Sequence, residues 1–331
     1  MGMHRREFVA LLAASAAGLA AAPLAKAAAP EAEAKPAPAA PKKPGYKPER
    51  FTLDYAKLTA YQGAPSRKRI EEQYLKNIKR AEWRKFIADF YAMKEPQSQY
   101  KLPRLANWSF ESAPGSGAHH THIGGLAQHT LQNLDYARAW VASYAAAGVT
   151  LDTDILFGSI LLHDYMKRFI YAFDQDGKFS KSEDKFIAKN EDHHSWVLRE
   201  LTARKCPLDL LLGTAAMHGI DDVSLAEGVK GVAIVDHYLK IGDTGATYTP
   251  DNIRPEHVVA FLADSDWHWS GMAQARTAKV AALLAPEYGV SPDAMKLYLG
   301  SRFTFVSIGH VVDTKSAESA ARQFKSYILK A

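Results

Sequence analysis

The chain has 331 residues, 47% of them hydrophobic and 23% charged, enough apolar material for a sizeable core, which excludes a disordered or collagen-like polypeptide. Lys and Arg number 41 against 36 Asp and Glu, a formal charge of +5; residues 1–27 carry three bases and one acid, so their loss would leave +3, too small an excess for a nucleic-acid tracker. A single cysteine, Cys206, excludes an intramolecular disulfide and any CxxC zinc or redox site, so a metal must be held by carboxylates and by some of the 13 histidines.

The chain opens on Arg5-Arg6-Glu7-Phe8-Val9, an Ala/Leu run to Leu24 and the small-x-small sequence Ala25-Lys26-Ala27. The paired arginines resemble a twin-arginine signal, which implies a cleaved signal peptide over 1–27, an export machinery for folded proteins as partner, and a periplasmic or secreted location. A retained membrane anchor is the alternative, but the run is Ala-rich, short for a bilayer span and ends at a cleavage pattern. No later segment is long and apolar enough to span a membrane. Residues 28–48, rich in Ala, Pro, Lys and Glu, read as a solvated linker.

From Arg67 the apolar residues Ile70, Tyr74, Ile78, Trp83, Phe86, Ile87 and Phe90 recur at three- and four-residue steps, which predicts helices in an N-terminal segment over 49–104. Glu95 to Gly117 reads as a long loop. Helices are predicted over 124–147, 152–167, 191–204, 207–218 and 228–240 within a domain over 105–245, and over 255–264, 271–287, 291–299 and 315–329 in a C-terminal extension over 246–331. Short strands are predicted at 168–173 and 302–308. The first would close a hairpin on Lys178-Phe179 through Asp174-Gln175-Asp176-Gly177. The predicted class is all-α, a helical bundle with flanking helices and at most a small β-hairpin.

The chemistry-bearing residues lie on these helices or at their ends: His129, His163-Asp164, His193-His194, His218 and Asp236, successively 18 to 34 residues apart. His163-Asp164 closes the run Ile155 to Leu162, and Asp236 follows the apolar stretch Val232 to Val235. A carboxylate buried there without a partner would cost several kcal/mol, and one cation could satisfy both acids together with the imidazoles. Inward-facing His and carboxylate ligands on separate helices are a recurrent way for bundles to hold metal pairs.

The ordered series resembles the HD superfamily of metal-dependent phosphohydrolases, with Leu161-Leu162-His163-Asp164-Tyr165-Met166-Lys167 similar to its LLHDxxK core. His119-His120, Gly124-Gly125-Leu126 and His129-Thr130 further resemble the branch with an HH…GGLLEHT segment, which includes exoribonucleases. The resemblance covers about residues 118–241 and implies an HD-like bundle. It further implies a first metal held by His129, His163, Asp164 and Asp236, with Asp164 bridging to a second held by His218 and one of His193 and His194. Lys167 would face the substrate's anionic group. Tyr165 and Met166 depart from the usual HDIGK, which puts the pocket wall and the substrate in question.

Each position also has an ordinary structural role open to it. His129 could lie on a helix surface with Gln132, Asn133 and Tyr136; His163, Asp164 and His218 could serve helix ends; Asp236 could pair with a nearby Lys or Arg. His119, His120 and His122 read as substrate-facing or as support for the ligands; His237, His257, His268 and His310 read as structural or surface. Trp267-His268-Trp269, after Asp264 and Asp266, reads as core packing, with a rim or partner surface as the alternative.

Two divalent ions (Zn, Mn, Mg or Fe) sharing one carboxylate suit hydrolysis of a small phosphorylated substrate, a phosphodiester or phosphomonoester, by an activated water, with Asp164 and Lys167 as catalytic residues. An HD-type di-iron oxygenase cleaving C–C or C–P bonds uses a similar constellation. A non-catalytic periplasmic metal-binding module is the third reading, against which Lys167 argues. The sequence holds no P-loop, dinucleotide-binding or GxSxG motif.

Overall fold

Amphipathic spacing and side-chain caps set the helices. In the computed structural model, residues 48–98, 106–181, 193–219 and 230–331 are described. The expected signal segment, and all but the last residue of the expected linker, lie outside them. The described residues belong to one unit, Lys47–Ala331. Its class is all-α: among the described residues the strands are two short pairs, a parallel β1 (Glu49–Arg50) with β4 (Ile328–Leu329), and the antiparallel hairpin β2 (Tyr171–Phe173) with β3 (Phe179–Lys181). Gly177, at φ +76°, supplies the left-handed residue of the hairpin turn.

The helices run in chain order as α1 (Tyr55–Tyr61), α2 (Gly63–Gln73), α3 (Ala81–Tyr91), α4 (Gly125–Ala146), α5 (Thr153–Leu162), α6 (His193–Ala203), α7 (Leu208–Ala216), α8 (Lys230–Ile241) and α9 (Pro255–Asp264). Then follow α10 (Trp267–Tyr288), α11 (Pro292–Phe303), α12 (Phe305–Thr314) and α13 (Ala317–Lys325). Asp152 caps α5 by accepting from the amides of Asp154 and Ile155, and Ser291 with Pro292 starts α11. Asp154 then accepts from the amides of Lys79 (2.9 Å) and Arg80 (2.8 Å), which fixes α5 against the start of α3.

Two hydrophobic cores share the unit. Ile87, Leu126, Leu134, Ile155, Leu161, Trp196, Leu210, Val235 and Val259 fill the first, so α9 packs into the same core as the helices that carry the histidines. Val280, Leu284, Met295, Tyr298, Ile308 and Phe324 fill the second, joined by Phe51, Leu58 and Ile123.

Two sequence expectations are corrected. The predicted strand at 302–308 is the junction of α11 and α12: Thr304 breaks the chain at φ +65° and its hydroxyl caps Ser307, while Phe305 and Ile308, one helical turn apart, are both buried. Trp267-His268-Trp269 is not core. It forms the first turn of α10, with Trp267 46% exposed.

The glycine pair before α4 has a steric role. Gly124 lies at φ +83°, and a Cβ there would come within 2.6 Å of the Gly63 amide; a Cβ on Gly125 would meet His120 O at 1.9 Å. Only glycines let the loop carrying His119 and His120 fold this tightly onto the start of α4.

Candidate metal centre

Asp164 is the hub of the site. It follows α5 at the start of a 3-10 turn, Tyr165–Phe169, and its side chain is 1% exposed. Oδ2 faces Nε2 of His129 at 3.1 Å and of His163 at 3.3 Å, while Oδ1 faces Nε2 of His193 at 3.4 Å and of His218 at 3.5 Å. The two oxygens thus look toward different histidine pairs. Lys167, one short turn on, makes a buried ion pair with Oδ2.

The second carboxylate of the cluster is Asp264, the last residue of α9. Its Oδ1 lies 3.0 Å from His129 Nε2 and 3.6 Å from His163 Nε2, and its Oδ2 lies 3.9 Å from His218 Nε2. The Asn133 amide, one turn after His129, donates to Asp264 Oδ1 at 2.7 Å and holds it in place. Ligand atoms of His129, His163 and Asp264, of His163, Asp164 and His218, and of His193, His194 and His218 lie in groups no more than 4.8 Å across.

Asp236 departs from expectation. On α8 its carboxylate accepts from the Tyr248 amide at 3.0 Å and pairs with Lys240, which ties the following loop to the helix and leaves it outside the histidine cluster. Burial at the end of an apolar helix was the signal for Asp236, and Asp264 carries the same signal after Val258 to Ala263. Asn133 was legible too, since Gln132, Asn133 and Tyr136 share one stripe of α4 with His129.

Hydrogen bonding sets the tautomer of His163. His163 Nδ1 lies 2.7 Å from Ile160 O; a carbonyl only accepts, so Nδ1 carries a proton and Nε2 faces the carboxylates. His163 Nε2, Asp164 Oδ1 and both ring nitrogens of His193 are buried without a hydrogen bond, a costly arrangement that a cation would relieve. The donor set of imidazole and carboxylate suits Zn, Mn or Fe.

The electrostatics agree. Burial works against charge on Asp164, but His163, Lys167 and the hydrogen bond from His129 outweigh it and hold the carboxyl well below the usual range. Burial likewise opposes charge on His163, yet Asp164 and Asp264 raise its pKa to about 10. The oxygens that attract this proton would equally attract a metal ion. On the other side burial, then the Lys167 charge, lowers His193 to about 3, and burial lowers His194 and His218 as well, which leaves neutral imidazoles suited to ligation. The His194 ring stacks on His218 at 3.6 Å.

The loop before α4 is divided. The rings of His119 and His120 lie 4.9 Å and 5.3 Å from His129, with His119 Nδ1 3.0 Å from His120 Nδ1 and His120 Nε2 2.6 Å from Gln132 Oε1. His122 turns away: its ring packs edge-on against Phe305, and burial lowers its pKa to about 4. Of the two roles expected for it, this placement against α12, with its ring 6.2 Å from that of His120, fits support of the neighbouring histidines rather than contact with a substrate. His257 is buried and bonded to the Tyr248 hydroxyl at 2.8 Å, while His237, His268 and His310 are exposed.

No family model matches the chain, and no solved structure gives a significant match. The chain is similar to dihydroneopterin 2',3'-cyclic phosphate phosphodiesterase of Methanocaldococcus jannaschii. The two are 29% identical over 169 residues, 50% of this chain and 65% of that protein. The match therefore spans just under two thirds of the relative. A phosphodiesterase relative supports the resemblance to the HD superfamily that His163-Asp164 and the surrounding histidines carry.

Proposed function

We propose that the protein is a metal-dependent phosphohydrolase that cleaves a phosphodiester with water. The two-sided surroundings of Asp164 carry this reading. His129, His163, Asp264 and Oδ2 of Asp164 would hold one cation, and Oδ1 with His193, His194 and His218 a second. Two such ions supply an activated water at neutral pH and draw charge from the phosphoryl oxygens. The chain's own groups do the rest. The Ile160 carbonyl orients His163, Asn133 orients Asp264, and buried Lys167 offers a fixed positive charge to a substrate oxygen once a cation shares Asp164. The similarity to a cyclic-phosphate phosphodiesterase favours a diester over a monoester.

Purified protein loaded in turn with Mn, Fe, Zn and Mg should be assayed on 2',3'-cyclic nucleotides, phosphomonoesters and phosphonates. Phosphodiester cleavage that disappears in Asp164→Ala supports the reading. Oxygen consumption on a phosphonate by the iron form, without ester cleavage, would overturn it in favour of an oxygenase.

The same proposal places the mature chain outside the cytoplasm, on the strength of Arg5-Arg6 and the small-x-small sequence at Ala25-Lys26-Ala27. Replacing both arginines by lysine should retain the precursor in the cytoplasm, read by fractionation. Equal export of the variant would remove the twin-arginine route.

A further inference from the structure

A cleft of about 390 Å³ lies apart from the metal-binding cluster, between α2, the end of α3, residues 109–111 and the turn that follows Asp164. None of the histidines or aspartates of the cluster lines it. A volume of that order suits a small organic molecule. Its lining holds two arginines, Arg67 and Arg168, and two glutamates, Glu71 and Glu111, beside the rings of Tyr91, Phe110 and Tyr165.

Arg168 is 8% exposed, and its guanidinium donates only to neutral acceptors: Trp108 O, Met93 O at 3.0 Å, the Tyr165 hydroxyl at 2.9 Å and, at the longer 3.5 Å, Asn107 Oδ1. Among the described residues no carboxylate forms an ion pair with it. A guanidinium does not shed its proton, so a buried one without a counter-charge is costly. Arg67 belongs to the same wall. Its Cζ lies 4.6 Å from the centre of the Tyr91 ring and 5.6 Å from that of Phe110, and the Tyr91 and Tyr165 rings are 4.7 Å apart. A pair of touching tyrosines therefore links the two guanidinium groups. Arg67 Nε donates to Glu71 at 2.6 Å, and its two terminal amino groups have no hydrogen-bond partner among the described residues.

The acids narrow the ligand. Glu71 is neutralised by Arg67, whereas Glu111 makes no ion pair among the described residues. One charge of each sign is left over, on Arg168 and on Glu111. That balance opposes a dianion such as a phosphomonoester and suits a monoanion that brings a donor of its own. A guanidinium fork matches the planar carboxylate in particular.

We propose that this cleft binds a small monocarboxylate that also carries a hydroxyl or ammonium group, its acid taken by the free N–H groups of Arg67 and Arg168 and its donor by Glu111. The site is independent of the hydrolase reading, since it shares no residue with the cation positions.

The test titrates the full chain with four probes of similar size, phenyllactate, phenylalanine, phenyl phosphate and phenethylamine, by ligand-observed NMR and calorimetry. Wild type, Arg67→Gln, Arg67→Lys and Glu111→Gln are compared, each chelated and metal-loaded. The expected result is one phenyllactate or phenylalanine per chain, bound about fivefold or more tighter than either phenyl phosphate or phenethylamine. Arg67→Gln should weaken that binding about tenfold, Arg67→Lys should fall between it and wild type, and Glu111→Gln should narrow the gap to phenyl phosphate. Should Arg67→Gln not fold, the loss in Arg67→Lys decides. No saturable binding of either acid, a preference for phenyl phosphate, or affinities that both Arg67 variants leave intact would overturn the proposal. So would binding that appears only in the metal-loaded protein, because it would put the acids on the cations.

Discussion

At Asp264 a carboxylate contacts His129, His163 and His218 and is steadied by Asn133, whereas Asp236 holds only Lys240 and a backbone amide. Asp264→Ala is therefore expected to lose one equivalent of metal and about 10²–10³-fold in turnover. Asp236→Asn should keep its metal, its turnover within about twofold and its stability within ~1 kcal/mol, because a pair with the exposed Lys240 is worth little. Elemental analysis with steady-state assays distinguishes the two. On the proposed reading Lys167→Ala should retain its metal and lose about 10²-fold or more in kcat, since the ammonium now paired with Asp164 would be turned to the substrate once a cation shares that carboxylate. At this scale most of the cluster was legible, because each member ends or interrupts an apolar helix where an unpaired polar group is costly. Asp264 carries that signal as plainly as Asp236. What separates them is the direction each helix takes in the packed core, which periodicity does not encode. The choice between His193 and His194 was equally illegible, since it depends on how α6 is rotated.

Among the elements, α6 shows how the segments are joined. Glu200 accepts from the amides of Gln97 (2.8 Å) and Ser98 (2.7 Å), from the Ser98 hydroxyl and from Arg204, and so clamps the segment after α3 to the helix that carries His193. Burial works against its charge, but these donors outweigh it and lower its pKa below the ordinary 4.5. The stabilisation is full above that unfolded value and is lost as pH falls through the lower folded value. Glu200→Gln should cost about 2–4 kcal/mol near neutrality, and the cost should shrink as pH falls below about 4, both measurable by denaturant unfolding. Helices and the hairpin were readable because their spacing and the Asp174-to-Gly177 turn agree with their local environment. The segment 302–308 was not: its aromatic and β-branched residues suit a strand, and the second core recruits them at helical spacing instead. The Trp267 cluster misled for the opposite reason, since composition alone does not say which side of a helix meets solvent.

Over the whole molecule, His129, His163 and His218 face Asp264, which lies beyond residue 245, where the sequence reading ends the metal-binding domain. A chain ending at 245 would also lose Tyr248, Val259, Ala260 and Ala263 from that core. It is expected to be insoluble or to bind no more than one metal with lowered affinity, tested by expression and elemental analysis. Cations held jointly by side chains from the α4 to α9 segments would bind the folded state alone, so each one at 100 times its Kd should add about 2.7 kcal/mol and raise Tm by roughly 5 °C, reversed by chelation. The central claim is that one carboxylate joins two cation positions. Anomalous diffraction from crystals of the metal-loaded protein tests it most directly. The expected map has two peaks on opposite oxygens of Asp164, one shared with His129, His163 and Asp264 and the other with His218 and the His193-His194 pair. Peaks beside Asp236, or none within bonding distance of Asp164, would contradict it.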